Sequence, residues 1–276
     1  MKKKIIATML VMMMSMGILG GCGNTQEANP NANQVENPVE EVTLQVFIAA
    51  SLKNAMTTIQ KDYKALHPEV ELVFNADSSG TLQTQIEEGA SCDVFFSAAM
   101  KQMNALTEEG MVEEDTEEKL LENKVVLIKP VNGETEVTGF ENITEASNIA
   151  LAGEDVPVGA YAREIFTSLG NIDDVMKMEI NEGANVTAVL AAVSEGSNEV
   201  GVVYATDAAS VKDKVEIIAQ APVEALTSPV IYPVACIKNE EAGEAEHSAA
   251  QEFVKYLTTD EAMKVFEEYG FVRYNP

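Results

Sequence analysis

Four short polar segments each precede a predicted helix, and together they could bind an anion. Ser51 ends the segment AAS, Ser78 and Ser79 stand in NADSSGT, and the segments DVPVGAY and NEGANV occupy the same kind of position further along the chain. The first turn of a helix has backbone N–H groups without intrahelical acceptors and carries about half a positive charge. Four such turns directed into one cleft would supply about +2 of partial charge, which suits a dianion. Serine hydroxyls would add neutral donors.

These four turns contain neither lysine nor arginine, since the nearest basic residues, Lys53 and Arg163, stand a little inside their predicted helices. A site made of helix dipoles and hydroxyls can bind a fully ionised oxyanion. Apart from Asp77, it offers no carboxylate that could accept a proton from the ligand. Ordinary helix capping would place Ser, Asp and Asn at the same positions, so the pattern alone leaves both interpretations open.

The elements that would position these turns alternate between strand and helix from residue 42 onwards. Each of the strand-like runs VTLQVFIAA, VELVFNA and DVFFSA is followed by a helical pattern, and a second such set begins near residue 123. This alternation predicts an α/β fold with two lobes, each an open, mostly parallel sheet flanked by helices. Two crossovers, near residues 124 and 231, would divide the chain into lobe 1 (43–123 plus 231–276) and lobe 2 (124–230). Ligands of such sheets bind at the carboxyl ends of the strands, where the four turns lie.

The composition describes an acidic, packed protein. Asp and Glu number 45 against 18 Lys and Arg, which gives a net charge of −27. Such a surface repels phosphate backbones and anionic headgroups, so we expect no nucleic-acid partner and no electrostatic docking to a membrane. A hydrophobic content of 46% is ordinary for a globular protein and excludes disorder throughout the chain.

The N-terminal segment has the pattern of a secretion signal. Three lysines at positions 2–4 precede an uncharged apolar run that ends in LGGC, which resembles the bacterial lipobox. The pattern predicts a signal peptide over 1–21, lipidation of Cys22 as the first mature residue, and a flexible tether over 22–42. The folded part would then lie outside the cytoplasm, held at the cell membrane through Cys22 alone. An uncleaved anchor is the alternative.

The remaining cysteines and histidines do not form a metal-binding pattern. Cys92 and Cys236 each stand in an apolar, strand-like run, and either two buried thiols or a single disulfide fits this pattern. His67 and His247 lie far from both cysteines in sequence. We therefore expect no metal site.

An ordered set of motifs resembles the molybdate-binding proteins of bacterial ABC importers. The motifs are AASLKNAM, SSGTLQTQIEEGASCDVFFSA, VPVGAYARE, VGVVYATDA and EEYGF, and the similarity runs from about residue 43 to 274. The resemblance implies a type II periplasmic-binding-protein fold that binds molybdate or tungstate, with no cofactor and no enzymatic activity. It also implies an ABC permease and its ATPase as partners. A monomer is the expected state.

The same resemblance implies which residues hold the anion, through serine hydroxyls, backbone N–H groups and one tyrosine hydroxyl. The matching positions are Ser51 and Ser79 for the serines, Val158 and Val186 for the backbone donors, and Tyr204 for the tyrosine. Family members often have alanine at the position of Val158, which is compatible with a role for its N–H. The match at Val186 depends on its spacing to Tyr204.

Three other classes of protein are the alternatives to this one. A binding protein for sulfate or phosphate would use the same kind of donors, and the sequence separates these ligands poorly. An enzyme is disfavoured because G-x-S-x-G, G-x-x-x-x-G-K-[ST] and G-x-G-x-x-G are all lacking in the sequence. A calcium-binding module is disfavoured because the Glu pairs at 108–109, 113–114 and 117–118 lack the D-x-[DN]-x-[DN]-G loop. We interpret these pairs as solvated helix faces.

Overall fold

The computed structural model describes residues 41–275, which belong to one compact unit. The predicted signal peptide, Cys22 and nearly all of the predicted tether lie outside these residues. Val42, predicted as the last residue of the tether, instead begins the first strand, where it is buried and pairs with Val70. In residues 41–275 we find no helix with the length and apolar character needed to cross a membrane.

Strands and helices alternate along most of the described chain, as the hydrophobic pattern predicts. The strands are β1 (Val42–Ala49), β2 (Val70–Asp77), β3 (Val94–Phe96), β4 (Glu118–Asn123), β5 (Val125–Pro130), β6 (Asn148–Ala152), β7 (Glu179–Gly183), β8 (Val200–Tyr204), β9 (Val215–Gln220), β10 (Val230–Cys236) and β11 (Val272–Arg273). The helices are α1 (Lys53–Leu66), α2 (Ser79–Glu87), α3 (Met100–Glu108), α4 (Pro157–Leu169), α5 (Ile172–Val175), α6 (Val186–Ser194), α7 (Ala205–Ser210), α8 (Glu244–Leu257) and α9 (Asp260–Glu268). Short 3-10 turns cover Ala50–Leu52, Phe140–Glu145 and Val223–Ala225.

Within residues 41–275 the strands form two sheets. The first has the order β11-β4-β10-β3-β1-β2, and the second has the order β7-β6-β8-β5-β9. Helices α1, α2, α3, α8 and α9 pack with the first sheet, α4, α6 and α7 pack with the second, and α5 packs against α4. We refer to these two layered bodies as lobe 1 and lobe 2. The α/β class and the two-lobed architecture are therefore confirmed.

Each sheet has the predicted parallel strands but also contains antiparallel pairs. Strands β1, β2 and β3 are parallel, as are β6, β7 and β8, but β10 pairs antiparallel with both β3 and β4. Strand β5 likewise pairs antiparallel with both β8 and β9. The reason is the double crossing between lobes, because a strand that leaves one lobe and the strand that returns to it run in opposite directions.

The two crossings form the hinge between the lobes. Strand β4 continues almost directly into β5, with only Lys124 between them. The return crossing occupies residues 221–229, between β9 and β10. The strands of lobe 1 thus come from residues 42–123 and 230–273, and those of lobe 2 come from residues 125–220.

One local prediction is also wrong. The Glu pair at 117–118 does not lie on a helix, because Glu118 is the first residue of β4, and the pair at 113–114 lies between α3 and β4. Strand β4 is short and is held by pairing with distant parts of the chain.

Candidate functional site

All five residues that match the family's anion ligands line one cavity between the two sheets. The cavity lies at the carboxyl ends of β1, β2 and β3 in lobe 1 and of β6, β7 and β8 in lobe 2. Its lining is Ala49, Ala50, Ser51, Asp77, Ser78, Ser79, Ala98, Val156, Pro157, Val158, Val186 and Tyr204. The cavity is small, since the centre of a water molecule could occupy about 10 Å³ within it. This is room for one small molecule or ion and not for a sugar or a peptide.

Ser51 lies in the 3-10 turn that joins β1 to α1. The residue at the N-cap of α1 is Leu52, so the hydroxyl of Ser51 is not used to cap that helix. Its Oγ lies 3.0 Å from the hydroxyl oxygen of Tyr232, which comes from the central strand β10. Tyr232 therefore holds Ser51 at the wall of the cavity.

Ser79 is the first residue of α2 and is buried at the cavity wall, with 1% of its surface exposed. Capping of α2 falls to Ser78, whose Oγ accepts a hydrogen bond from the N–H of Thr81 at 3.1 Å. The Oγ of Ser79 instead accepts a hydrogen bond from the backbone N–H of Ala98 at 2.9 Å. The hydroxyl hydrogen of Ser79 is thus left for an acceptor in the cavity.

Val158 and Val186 bring the N-termini of two lobe 2 helices to the same cavity. Val158 follows Pro157 in the first turn of α4, and Val186 is the first residue of α6, which is capped by the side chain of Asn185. At these positions the helix geometry leaves a backbone N–H without an intrahelical acceptor. Each N–H can therefore serve a ligand, and the valine side chains are not required for this.

Tyr204 ends β8 and is almost fully buried, with 1% of its surface exposed. Among the residues described, its hydroxyl has no hydrogen-bond partner. A buried hydroxyl without a partner costs about 1–3 kcal/mol, so such groups are rare unless a ligand satisfies them. Burial raises the pKa of Tyr204 well above its usual value, which keeps the phenol protonated. It is therefore a hydrogen-bond donor that faces a cavity and lacks an acceptor.

The described lining contains no lysine and no arginine, and its one carboxylate is Asp77. Arg163 belongs to α4 and is not part of the lining; its guanidinium donates to the carbonyls of Ala152 and Gly159 at 2.7 and 2.9 Å. Positive potential in the cavity thus comes from helix N-termini and not from side-chain cations. In residues 41–275 no three His, Cys, Asp or Glu side chains are grouped so that they could hold a metal ion.

The two lobes are in contact around the cavity. Asn185 of lobe 2 donates a hydrogen bond from Nδ2 to Oδ1 of Asp77 in lobe 1 at 2.9 Å, and the same oxygen accepts from the N–H of Ser78 at 2.8 Å. Gly80, at the start of α2, packs so closely on the backbone of Asp155 in lobe 2 that a Cβ would collide with it. The structure is therefore closed over the cavity.

The sequence did not point to three side chains that shape this site. Tyr232 and Asn123 come from the hinge strands and reach Ser51 through hydrogen bonds, while Asn185 joins the lobes at the cavity. Asn185 stands in NEGANV, the segment that we singled out, so its capping role could have been read from its position. Tyr232 stands in a uniformly buried strand with nothing in its local sequence to mark it.

Comparison with known proteins shows the family of the chain. Residues 44–272 match the family described as bacterial extracellular solute-binding protein. The chain is 39% identical over 255 residues to the "Putative ABC transporter substrate-binding lipoprotein YvgL" of Bacillus subtilis strain 168, which covers 92% of this chain and 93% of that protein. It is 37% identical over 232 residues to the molybdate-binding protein ModA of Haemophilus influenzae, which covers 82% of this chain and 88% of that protein.

A solved structure agrees with this result. The "substrate binding domain of putative molybdenum ABC transporter from Clostridium difficile" is 37% identical, has a TM-score of 0.64, and covers 85% of this chain and 100% of that chain. Proteins of this kind are binding components of transporters and not enzymes. The family match spans both sheets and the cavity, and the relatives above 30% identity align over most of their length. The chain therefore belongs to the family of bacterial extracellular solute-binding proteins.

Proposed function

We propose that this chain is the binding component of an ABC importer for molybdate or tungstate, and that the anion binds in the cavity between the lobes without a cofactor. The observation that carries the proposal is the buried hydroxyl of Tyr204, which faces the cavity without an acceptor among the described residues. The similar protein from Haemophilus influenzae is named a molybdate-binding protein, which supports this choice of anion.

The proposed binding step uses donors from both lobes. The hydroxyls of Ser51 and Ser79 in lobe 1 would meet the anion together with Tyr204 and the N–H groups of Val158 and Val186 in lobe 2. An anion enters while the lobes are apart, and hinge bending then brings the two sets of donors together. Because every donor is a neutral group or a helix N-terminus, the site neutralises a dianion without a lysine or arginine.

Selection among tetrahedral anions would come from size and from protonation. Molybdate and tungstate are larger than sulfate, so donors placed for the larger anions would not all reach a smaller one. Hydrogen phosphate carries a proton that needs an acceptor. The nearest acceptor is Asp77, whose Oδ1 already receives hydrogen bonds from Ser78 and Asn185. A binding protein for sulfate or phosphate is the alternative to this proposal.

Calorimetric titration of the purified protein with molybdate, tungstate, sulfate and phosphate tests the proposal directly. We expect tight binding of the first two anions and much weaker binding of the others. A melting-temperature series with the same four anions gives an independent measure, since a ligand that binds only the folded state stabilises it by mass action. Equal affinity for sulfate or phosphate would favour the alternative. No binding of any of the four to folded protein would contradict the whole assignment.

We also propose that the protein is a lipoprotein tethered through Cys22, and that it delivers its anion to a membrane permease. The LGGC segment supports the lipid anchor, and the relative from Bacillus subtilis is named a lipoprotein. Metabolic labelling with a fatty-acid analogue should mark the native protein and leave a Cys22→Ala variant unmarked. Equal labelling of both proteins would refute the anchor and would not affect the proposal for the anion.

A further inference from the structure

A chain of hydrogen bonds leads from the hinge to Ser51. Asn123, the last residue of β4, donates from Nδ2 to the hydroxyl oxygen of Tyr232 at 3.2 Å. The hydroxyl of Tyr232 lies 3.0 Å from Oγ of Ser51. Asn123 is 8% exposed and Tyr232 is fully buried, so water does not compete for the bond between these two residues. We call this set, Asn123 with Tyr232 and Ser51, the hinge relay.

The direction of the hinge relay follows from the orientation of its first amide. Oδ1 of Asn123 accepts a hydrogen bond from the N–H of Lys124 at 2.8 Å, which places Nδ2 on the opposite side. That nitrogen is only a donor, and its two hydrogens go to Tyr232 and to Oγ1 of Thr206 at 2.8 Å. The oxygen of Tyr232 therefore accepts from Asn123, which leaves the phenol hydrogen free to be donated to Oγ of Ser51, 3.0 Å away.

This order decides which part of the Ser51 hydroxyl faces the cavity. When Oγ of Ser51 accepts the hydrogen of Tyr232, the hydroxyl hydrogen of Ser51 is left to point at the cavity. A serine hydroxyl without such a neighbour can turn either its hydrogen or a lone pair toward a ligand. Only the first orientation attracts an anion.

The hydroxyl of Ser79, the second serine of the cavity, is oriented in a comparable way by a different donor. Oγ of Ser79 accepts from the backbone N–H of Ala98, which is also only a donor. In this arrangement Oγ of each of these two serines accepts one hydrogen bond from a group outside the cavity, and its own hydroxyl hydrogen is left for the ligand. In one case the supplier is the backbone, and in the other it is a side chain that can be changed by mutation.

We propose that Tyr232, supported by Asn123, is a positioning residue that fixes Ser51 as a hydrogen-bond donor to the ligand. This inference rests on the proposed function, in which Ser51 binds the oxyanion. Tyr232 does not touch the ligand and acts only through Ser51. Its removal therefore weakens binding only when the hydroxyl of Ser51 is present.

A double-mutant cycle with molybdate tests this coupling. The four proteins are the native chain, Tyr232→Phe, Ser51→Ala and the double variant, and the dissociation constant of molybdate is measured for each by calorimetry. We expect Tyr232→Phe to weaken binding about three- to tenfold in the native chain, as the loss of one oriented hydrogen bond would do. In the Ser51→Ala background the same change should have almost no effect.

Tyr269→Phe is the matched control, because it removes one hydroxyl from a similar tyrosine–hydroxyl pair away from the cavity. The hydroxyl of Tyr269 lies 2.8 Å from Oγ1 of Thr58. Its loss should leave molybdate binding unchanged. Melting temperatures without ligand show whether each variant is folded. If Tyr232→Phe does not fold, Asn123→Ala measured in the same two backgrounds replaces it, with a loss of binding again expected only when Ser51 is native.

The outcomes separate the inference from the proposed function. An equal loss of affinity from Tyr232→Phe in both backgrounds would mean a general structural role and would overturn the inference. Unchanged affinity in the native background would also overturn it, while the loss caused by Ser51→Ala would leave the proposed function intact. If Ser51→Ala itself binds molybdate as well as the native chain, then the assigned role of Ser51 fails and the inference fails with it.

Discussion

Replacing Gly80 with alanine tests whether ligand binding requires the closed contact between the lobes. An added Cβ at this position would lie 3.0 Å from the carbonyl carbon of Asp155 and closer still to its oxygen. Ordinary contacts between non-bonded heavy atoms begin at about 3.5 Å. The two lobes would therefore have to separate by about 1 Å at this point. The obstacle is backbone on both sides, so a side-chain movement does not relieve it.

A separation of this size is large for hydrogen bonds. A bond of about 2.9 Å that is lengthened by about 1 Å is no longer a hydrogen bond. The donors of lobe 2, at Val158, Val186 and Tyr204, would then fall out of reach of an anion held by lobe 1. Bonds to a charged group contribute about 1.5–3 kcal/mol each, so the loss of two of them would weaken molybdate binding at least a hundredfold.

The unliganded Gly80→Ala protein should be as stable as the native protein or slightly more stable. Gly80 lies in the first turn of α2, where alanine is the better helix former by up to about 1 kcal/mol. Because hinge-bending proteins open when empty, the added methyl group meets no obstacle in the open form. Stability that is kept or raised, together with lost binding, is the expected signature.

Calorimetry with molybdate and a thermal melt without ligand measure the two quantities. Gly243→Ala is the control, since it makes the same change at the N-terminus of α8, where the Cβ would meet only the mobile carboxylate of Glu246. We expect native affinity for this control. If Gly80→Ala binds molybdate within threefold of the native protein, then the contact with Asp155 is not part of the binding-competent state and the reasoning fails.

Three further substitutions and one labelling experiment have defined expected results. Tyr204→Phe should weaken molybdate binding about ten- to a hundredfold with little effect on the unliganded melting temperature, and a loss below threefold in calorimetry would contradict its role. Asp77→Asn should strengthen dianion binding severalfold at low ionic strength, because it removes a negative charge from the cavity wall, and the gain should be smaller at high ionic strength. Weaker binding at both ionic strengths would show that the carboxylate is needed. Burial raises the pKa of Asp207 from 3.8 to about 7, so the contribution of this carboxyl to the free energy of unfolding is full below pH 4 and is lost as the pH rises to 7. In thermal melts, the advantage of Asp207→Asn over the native protein should therefore grow from pH 4 to pH 8. A difference that stays constant over this range would refute the reasoning. Cys92 and Cys236 are buried and unpaired in the described part of the chain, and burial raises the pKa of Cys236 to about 12. Both thiols should therefore resist a thiol reagent until denaturant is added. Rapid labelling of the native protein would show that the thiols are accessible.

Much of the fold could be predicted because its elements follow local patterns. In α1 the buried residues Ala55, Met56, Ile59 and Tyr63 repeat at helical spacing, and this repeat is visible in the sequence. Strand β4 could not be predicted in this way, because its sequence EKLLEN is acidic and resembles a helix face. It is a strand because β10 and β11 pair with its two edges, and those partners lie far away in the chain.

The candidate site divides in the same manner. Ser51, Ser79 and Tyr204 stand in short motifs that could be matched in order along the chain, and the structure brings them to one cavity. The partners that orient them could not be found by local reasoning. Tyr232 is separated from Ser51 by 181 positions and from Asn123 by 109, so only the sheet topology brings these residues together.

The position of β10 also has a consequence for the order in which the molecule is assembled. It is one of the last strands to be synthesised, yet it lies between β3 and β4 near the centre of the lobe 1 sheet. Until Val230–Cys236 has emerged, that sheet is split into β1, β2 and β3 on one side and β4 on the other, with unpaired edges facing the gap. Lobe 2 takes all its strands from residues 125–220 and can complete its own sheet earlier.

A chain that appears from its N-terminus therefore builds its second lobe before it can finish its first. A polypeptide cut before Val230 would retain every strand of the lobe 2 sheet and still lack the cavity, since half of the wall depends on the unfinished lobe. The topology therefore postpones the complete lobe 1 sheet, and with it the cavity, until almost the whole polypeptide has emerged.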